Sequence, residues 1–258
     1  MSFPLRTRTR GRPGRGAGVK SVAAADEFDA LGLITWDQGA WYAEDPDWVT
    51  PGNGGAVSQW DDGGSGLARH MVQATSSLQP TYSAAHASFN NKPAVIVDGG
   101  DELSTSGTLT SPTKPYSIVL IGRFASVAST TALWGRGAGG SGIGTFFVNQ
   151  PTGEYRYYSG AGVLAVAGAN TSVHLWRIYV NDASSVLEVD GSATAGTLGT
   201  AEAITSFGLF STSGGGSAYA PSGSGLAFVG VYSGDVAAHG SWSTFKAEAA
   251  THYGLTIA

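Results

Sequence analysis

Residues 115–124, PYSIVLIGRF, decide the fold class. Apolar side chains occupy both alternating positions of this run, which is the pattern of a strand buried on its two faces at the centre of a sheet. On either side the chain breaks into short apolar or alternating runs: Thr145–Val148, Glu154–Tyr158, Val163–Val166, Val173–Val180, Val186–Asp190, Phe207–Phe210 and Leu226–Tyr232. Clusters of Gly, Pro, Asn, Asp and Ser separate them, and this spacing predicts an all-β sandwich or barrel. The runs Val173–Val180 and Val186–Asp190, with Asn181-Asp182 between them, read as a hairpin. One helix is expected, over 241–253. There Trp242, Phe245, Ala249 and Tyr253 fall on one helical face, Ser241 stands at the N-cap and Gly254 at the left-handed C′ position. The aromatics of that helix are expected to be core contacts.

Composition narrows the options further. The 258 residues include 39 Gly, 10 Pro and no Cys, so disulfides, thiolate metal sites and cysteine nucleophiles are all excluded and a core must hold the fold. Charged residues are only 13% of the chain, against about 25% in a typical globular domain, so Ser, Thr, Gly and Asn carry much of the solvation. No run approaches the roughly 18 apolar residues that cross a bilayer, and membrane insertion is not expected. The charge is divided unevenly. Arg6, Arg8, Arg10, Arg12, Arg15 and Lys20 precede the first acid, Asp26, and leave eight basic against nineteen acidic residues in the remainder. Residues 1–25 therefore read as a basic, extended anchoring arm, without the apolar core of a secretory signal, and 26–258 as the folded domain. The arm has no aromatic interleaving and is joined to an acidic body, so an anchor in an acidic groove of a partner is favoured over nucleic acid.

An ordered series of short motifs carries a family resemblance: Trp41-Tyr42, Val57-Ser58-Gln59-Trp60-Asp61-Asp62, Arg69-His70, Gln73-Ala74-Thr75, Gln79-Pro80-Thr81-Tyr82 and Asn91 to Gly99 (NKPAVIVDG). It continues through Trp176 and Val186 to Gly191 (VLEVDG), and ends at Tyr253-Gly254-Leu255. The series resembles the LamG-like domains of the concanavalin A-like lectin/glucanase superfamily, as found in bacteriophage tail and other virion proteins. The resemblance implies a two-sheet antiparallel jelly-roll sandwich with one C-terminal helix.

Candidate chemistry is sparse. Glu188 and Asp190 have the i, i+2 spacing that would put two carboxylates on one face of a strand, as a retaining glycosidase needs. The string VLEVDG nevertheless reads better as a strand entering an Asp-Gly turn, and the third acid found in the family's glucanases is missing. His70, His86, His174, His239 and His252 are scattered and form no metal or nucleophile motif. Asp61, Asp62, Asp98, Asp101 and Glu102 lie in Gly-rich turns where oxygen ligands can hold calcium, although Asx-turn chemistry accounts for the same residues. The Gly-rich strings at 135–144 and 211–225 read as loops between strands. Trp48 is the candidate for a glycan contact, set against a core role for the same ring.

These readings lead to an expectation of a non-enzymatic bacteriophage virion component, a minor tail or decoration protein. It would be made in the host cytoplasm without a signal peptide and fixed to the tail or capsid by its arm. Its partners would be other virion proteins, host cell-surface carbohydrate and further copies of itself, with no cofactor beyond possible calcium at Asp61, Asp62, Asp98 and Asp101. The alternative is a glycoside hydrolase or free carbohydrate-binding module acting on bacterial surface polysaccharide.

Overall fold

The computed structural model describes residues 28–44, 46–50, 54–65, 67, 69–106, 114–136, 144–159, 162–198, 207–211 and 219–258. The arm at 1–25, with Arg6, Arg8, Arg10, Arg12, Arg15 and Lys20, lies outside the described residues, as does most of the two glycine-rich strings. In chain order the regular elements are α1 (Ala30–Leu33), β1 (Gly39–Tyr42), β2 (Val49–Thr50), β3 (Gln59–Trp60), β4 (Met71–Val72), β5 (Thr81–His86) and β6 (Lys92–Ile96). They continue with β7 (Leu103–Thr105), β8 (Tyr116–Arg123), β9 (Thr131–Arg136), β10 (Thr145–Asn149), β11 (Glu154–Ser159), β12 (Gly162–Ala167) and β13 (His174–Val180). The last are β14 (Ser185–Val189), β15 (Ser192–Gly196), β16 (Phe207–Leu209), β17 (Gly225–Ser233) and α2 (Trp242–Tyr253).

The strands form two antiparallel sheets. An eight-stranded sheet runs β15-β14-β13-β8-β17-β6-β5, with β1 also paired to β17, and a nine-stranded sheet runs β12-β11-β10-β9-β16-β7-β4-β3-β2. The run PYSIVLIGRF becomes β8, in the middle of the first sheet between β13 and β17. Its two-sided apolar pattern has a direct cause. Ile118 and Leu120 point with Trp176, Ile178, Val229 and Val231 into the core between the sheets, where Phe146, Val148, Tyr155, Tyr157, Phe207 and Leu209 meet them from the second sheet. Val119 and Ile121 point the other way, with Leu175 and Phe228, into a second core closed by Phe28, Trp36, Trp242, Phe245 and Tyr253. The architecture is thus a β-sandwich with a helix laid over the outer face of one sheet.

The closing helix follows the sequence pattern: Trp242, Phe245, Ala249 and Tyr253 are buried, and Gly254 ends it in the left-handed region at φ 68°. Ser241 occupies the N-cap but makes no side-chain cap bond. The expected hairpin is β13–β14, turned by a short 3-10 segment at Asp182–Ser184. A tighter hairpin follows it. Val189 pairs with Ser192, and Asp190 and Gly191 fill the two-residue loop at φ 49° and 87°, the backbone a type I′ turn demands and an Asp-Gly pair supplies.

Phe245 joins the helix to the sheet, its ring lying 5.1 Å from Phe28, 5.6 Å from Phe228 and 5.7 Å from Trp36. Phe245→Ala should cost about 3–5 kcal/mol of stability in urea unfolding. Exposed Ser243→Ala on the same helix should stay within about 0.5 kcal/mol.

Candidate functional site

Both helices cover the eight-stranded sheet, so among the described elements none packs over the outer face of the nine-stranded one. Strand alternation sets what that face displays. Because Trp60, Met71, Leu103, Phe207, Leu209, Trp134, Phe146, Tyr157 and Leu164 point into the core, their strand neighbours point outward, except at the β9 bulge, where Leu133 also enters the core. Pairing then lines those neighbours up across the strands: Gln59 opposite Val72, Val72 opposite Ser104, Ser104 opposite Gly208 and Gly208 opposite Gly135. After the β9–β10 step the row resumes with Thr145 opposite Tyr158 and Tyr158 opposite Val163. From Gln59 to Tyr158 it crosses six interstrand steps, about 29 Å.

The middle of the row is closed and its flanks are more accessible. Gly208 and Gly135 contribute no side chain and are buried, as is Thr145, Ser104 is half-buried, and the flanks carry larger groups. On one flank Tyr158 is half-buried and Val163 is 45% exposed. The adjacent row, Ala132–Phe147–Arg156–Ala165, adds an aromatic ring and a guanidinium. Arg156 is held in place: its Nε and Nη2 donate to Glu154 Oε2 at 2.9 and 2.7 Å. With the Asn149 amide oriented to put its oxygen towards the guanidinium, that oxygen accepts from Arg156 Nη1 at 2.8 Å. On the other flank His70 Nδ1 lies 2.9 Å from Asp61 Oδ1, which also accepts from Gln59 Nε2 at 2.5 Å. The accessible groups of this face therefore lie on its two flanks, with Phe147, Arg156, Tyr158 and Val163 on one and Gln59, His70 and Val72 on the other.

The residues singled out in the sequence sit elsewhere or are already engaged. Trp48 is half-buried, and its ring lies so close to Gly63 that a Cβ there would fall 1.8 Å from the ring. Asp62 caps the backbone N–H groups of Ala40, Gly64 and Ser65. Asp101 Oδ2 accepts from the Asp98 N–H at 2.7 Å. Among the described residues, no three His, Asp or Glu side chains form a group able to hold a metal ion. Glu188 lies under α2, where Arg177 Nε donates to it at 2.7 Å and Lys246 approaches to 3.6 Å. Asp190 is in the hairpin turn, 2.5 Å from His174 Nδ1, and it accepts from the Leu175 N–H at 2.8 Å. The pair that matched the glycosidase spacing is therefore a strut and a turn residue. The row on the nine-stranded sheet escaped sequence reading, because its members are scattered from Gln59 to Gly208 and only register assembles them.

No protein-family model matches the sequence, and no curated protein matches it. Solved structures do. A Trypanosoma rangeli sialidase in complex with sialic acid superimposes with a TM-score of 0.53 at 14% identity, over 83% of this chain and 32% of its own. An arabinofuranosidase complexed with arabinofuranosyl-alpha-1,2-xylobiose gives 0.55 at 10% identity, over 77% of this chain and 51% of its own. The chain thus spans about a third of the sialidase and half of the arabinofuranosidase. At these identities the likeness shows the β-sandwich fold. The expectation of a non-enzymatic bacteriophage virion component is corrected by these neighbours, which are named as a sialidase and an arabinofuranosidase. The resemblance to virion modules rested on core tryptophans and turn motifs, which report packing and not a site.

Asp101 provides a test of the turn chemistry. Only 3% exposed, it has a carboxyl that burial pushes up to about 6 from 3.8; the neighbouring Asp98 adds to the rise, while the Asp98 N–H opposes it. Between about pH 4 and 6 the folded state then binds more protons than the unfolded one, so stability should fall as pH rises through that window, by about 1–3 kcal/mol. Asp101→Asn should flatten this part of the pH–stability curve while keeping the acceptor for the Asp98 N–H.

Proposed function

We propose that this chain is a glycan-directed β-sandwich of the kind that serves glycoside hydrolases, and that it holds carbohydrate on the outer face of its nine-stranded sheet. The observation that carries this reading is the flank of that row on β10, β11 and β12, where Phe147, Arg156 and Tyr158 are half-buried, Val163 is exposed and Arg156 is held by Glu154. A sugar chain presents hydroxyls for fixed groups such as Arg156 and His70, and C–H faces for the rings of Tyr158 and Phe147. Shallow, pre-formed floors with a few well-held polar groups suit such ligands. We also read the two sheets as a jelly roll of the concanavalin A-like class; the two-sided burial of β8 and the helix closing the second core support this. Bacterial surface polysaccharide is the substrate class proposed, and hydrolysis belongs to the same test because the structural neighbours are named as glycosidases.

The test is calorimetric titration of the full chain with bacterial surface polysaccharides, with reducing-end release followed in parallel. Tyr158→Ala should weaken binding about 10-fold. Arg156→Ala should abolish it while leaving the fold intact, since the guanidinium and its partner Glu154 are both partly exposed. Unchanged binding by Arg156→Ala would remove this face from consideration, and failure of the unaltered chain to bind any of the glycans would end the reading.

A further inference from the structure

We propose that β15 is a self-association edge, through which two copies of this chain pair antiparallel and extend the eight-stranded sheet across a twofold axis. Among the described residues, β15 is the last strand of that sheet, with β14 as its ladder partner. Ser192, Ala193, Thr194 and Ala195 are all exposed. In a two-residue hairpin the closing pair, here Val189 and Ser192, is hydrogen-bonded. The bonds to β14 therefore come from Ser192, Thr194 and Gly196, and the N–H and C=O groups of Ala193 and Ala195 point off the edge. Folded proteins usually blunt such an edge with Lys, Pro, a bulge or a covering segment. The opposite edge of the sheet is treated this way: β5 carries a register shift between Ser83 and His86, and Ala56 bridges to Thr81. Among the described residues, β15 has none of these devices.

Charge and shape identify a second copy as the occupant. Outside the arm the chain carries eight basic and nineteen acidic residues, so most surfaces of two copies repel. The side wall made by β12 (GVLAVA) and residues 192–198 (SATAGTL) holds no charge at all. Small side chains along β15 let another strand approach. Pairing centred on Thr194 places Ala193 opposite Ala195 of the other copy, so each outward N–H meets an outward C=O. It also brings the acidic turn at Asp190 of one copy towards the end of the other where Lys114 sits 2.5 Å from Asp182. The twofold axis of antiparallel strand pairing is normal to the sheet, so both nine-stranded sheets lie on the same side. If the proposed function holds, the pair is bivalent and gains avidity on a polymer.

Sedimentation equilibrium of the full chain tests the association without any glycan. A dimer is expected at micromolar concentration. Ala193→Pro, tolerated because its N–H faces outward, should raise the dissociation constant at least about 100-fold with an unchanged circular dichroism spectrum. Ala195→Lys should act likewise. A monomeric unaltered chain overturns the proposal, and so does a dimer that survives both changes or is lost only on Val163→Lys in the neighbouring edge strand.

Discussion

The structure depends on the burial of the eight-stranded sheet from both sides. β8 has seven of its eight residues buried, and its alternate side chains enter two different cores. A sheet apolar on both faces cannot leave either in water, since each exposed Val, Ile, Leu or Phe forfeits roughly 1.5–3 kcal/mol. The nine-stranded sheet covers one face. The helix α2, with Phe28 and Trp36 ahead of it, covers the other. This assignment of cover leaves the nine-stranded sheet with the one broad outer face that no described helix crosses, so the place where a ligand can lie follows from where the apolar area had to go. It also accounts for the loss of Glu188 as a catalytic candidate. That side chain lies at the margin of the helix cover, and a buried carboxylate stripped of Arg177 would cost about 3–5 kcal/mol.

The body has few charges, and it uses them as struts. Arg177 links Glu188 on β14 to Asp235 ahead of the helix, at 2.7 and 2.9 Å. Arg123 reaches Thr171 O and Ser88 Oγ, and Arg69 Nη1 donates to Gln38 O at 2.6 Å. Three of the five histidines do the same with acids: His70 with Asp61, His174 with Asp190 and His252 with Glu44. Arg177 and Arg123 tie the segment before the helix and two loops to the eight-stranded sheet, His252 ties the helix to the turn after β1, and Arg69 and His70 tie loops to one another. Titratable residues that looked scattered along the chain are in fact spent on such junctions. On the open face this same economy makes Arg156 conspicuous, since its guanidinium is fixed by Glu154 beside an aromatic ring and not by another layer.

Local patterns were legible in the sequence and long-range register was not. β8, the β13–β14 hairpin and α2 each rest on periodicity within a dozen residues, so PYSIVLIGRF and the spacing of Trp242, Phe245, Ala249 and Tyr253 announced them. β2, β3 and β4 are two residues long, too short to show any period; Trp60 and Met71 become strand residues only through pairing, with each other and with Val49 and Thr105. Gly135 misled for a related reason. The Gly-rich string at 135–144 reads as a loop, yet Gly135 faces Gly208 in mid-sheet, where both are buried. Trp48, read as a glycan contact or a core ring, is half-buried with its ring against Gly63. The mistaken expectation about function came from the same source. Trp41, Trp60 and Trp176 fill the core of a sandwich, and a core is shared by every protein that uses the fold, whereas the outer row is assembled by pairings that no single stretch of sequence displays.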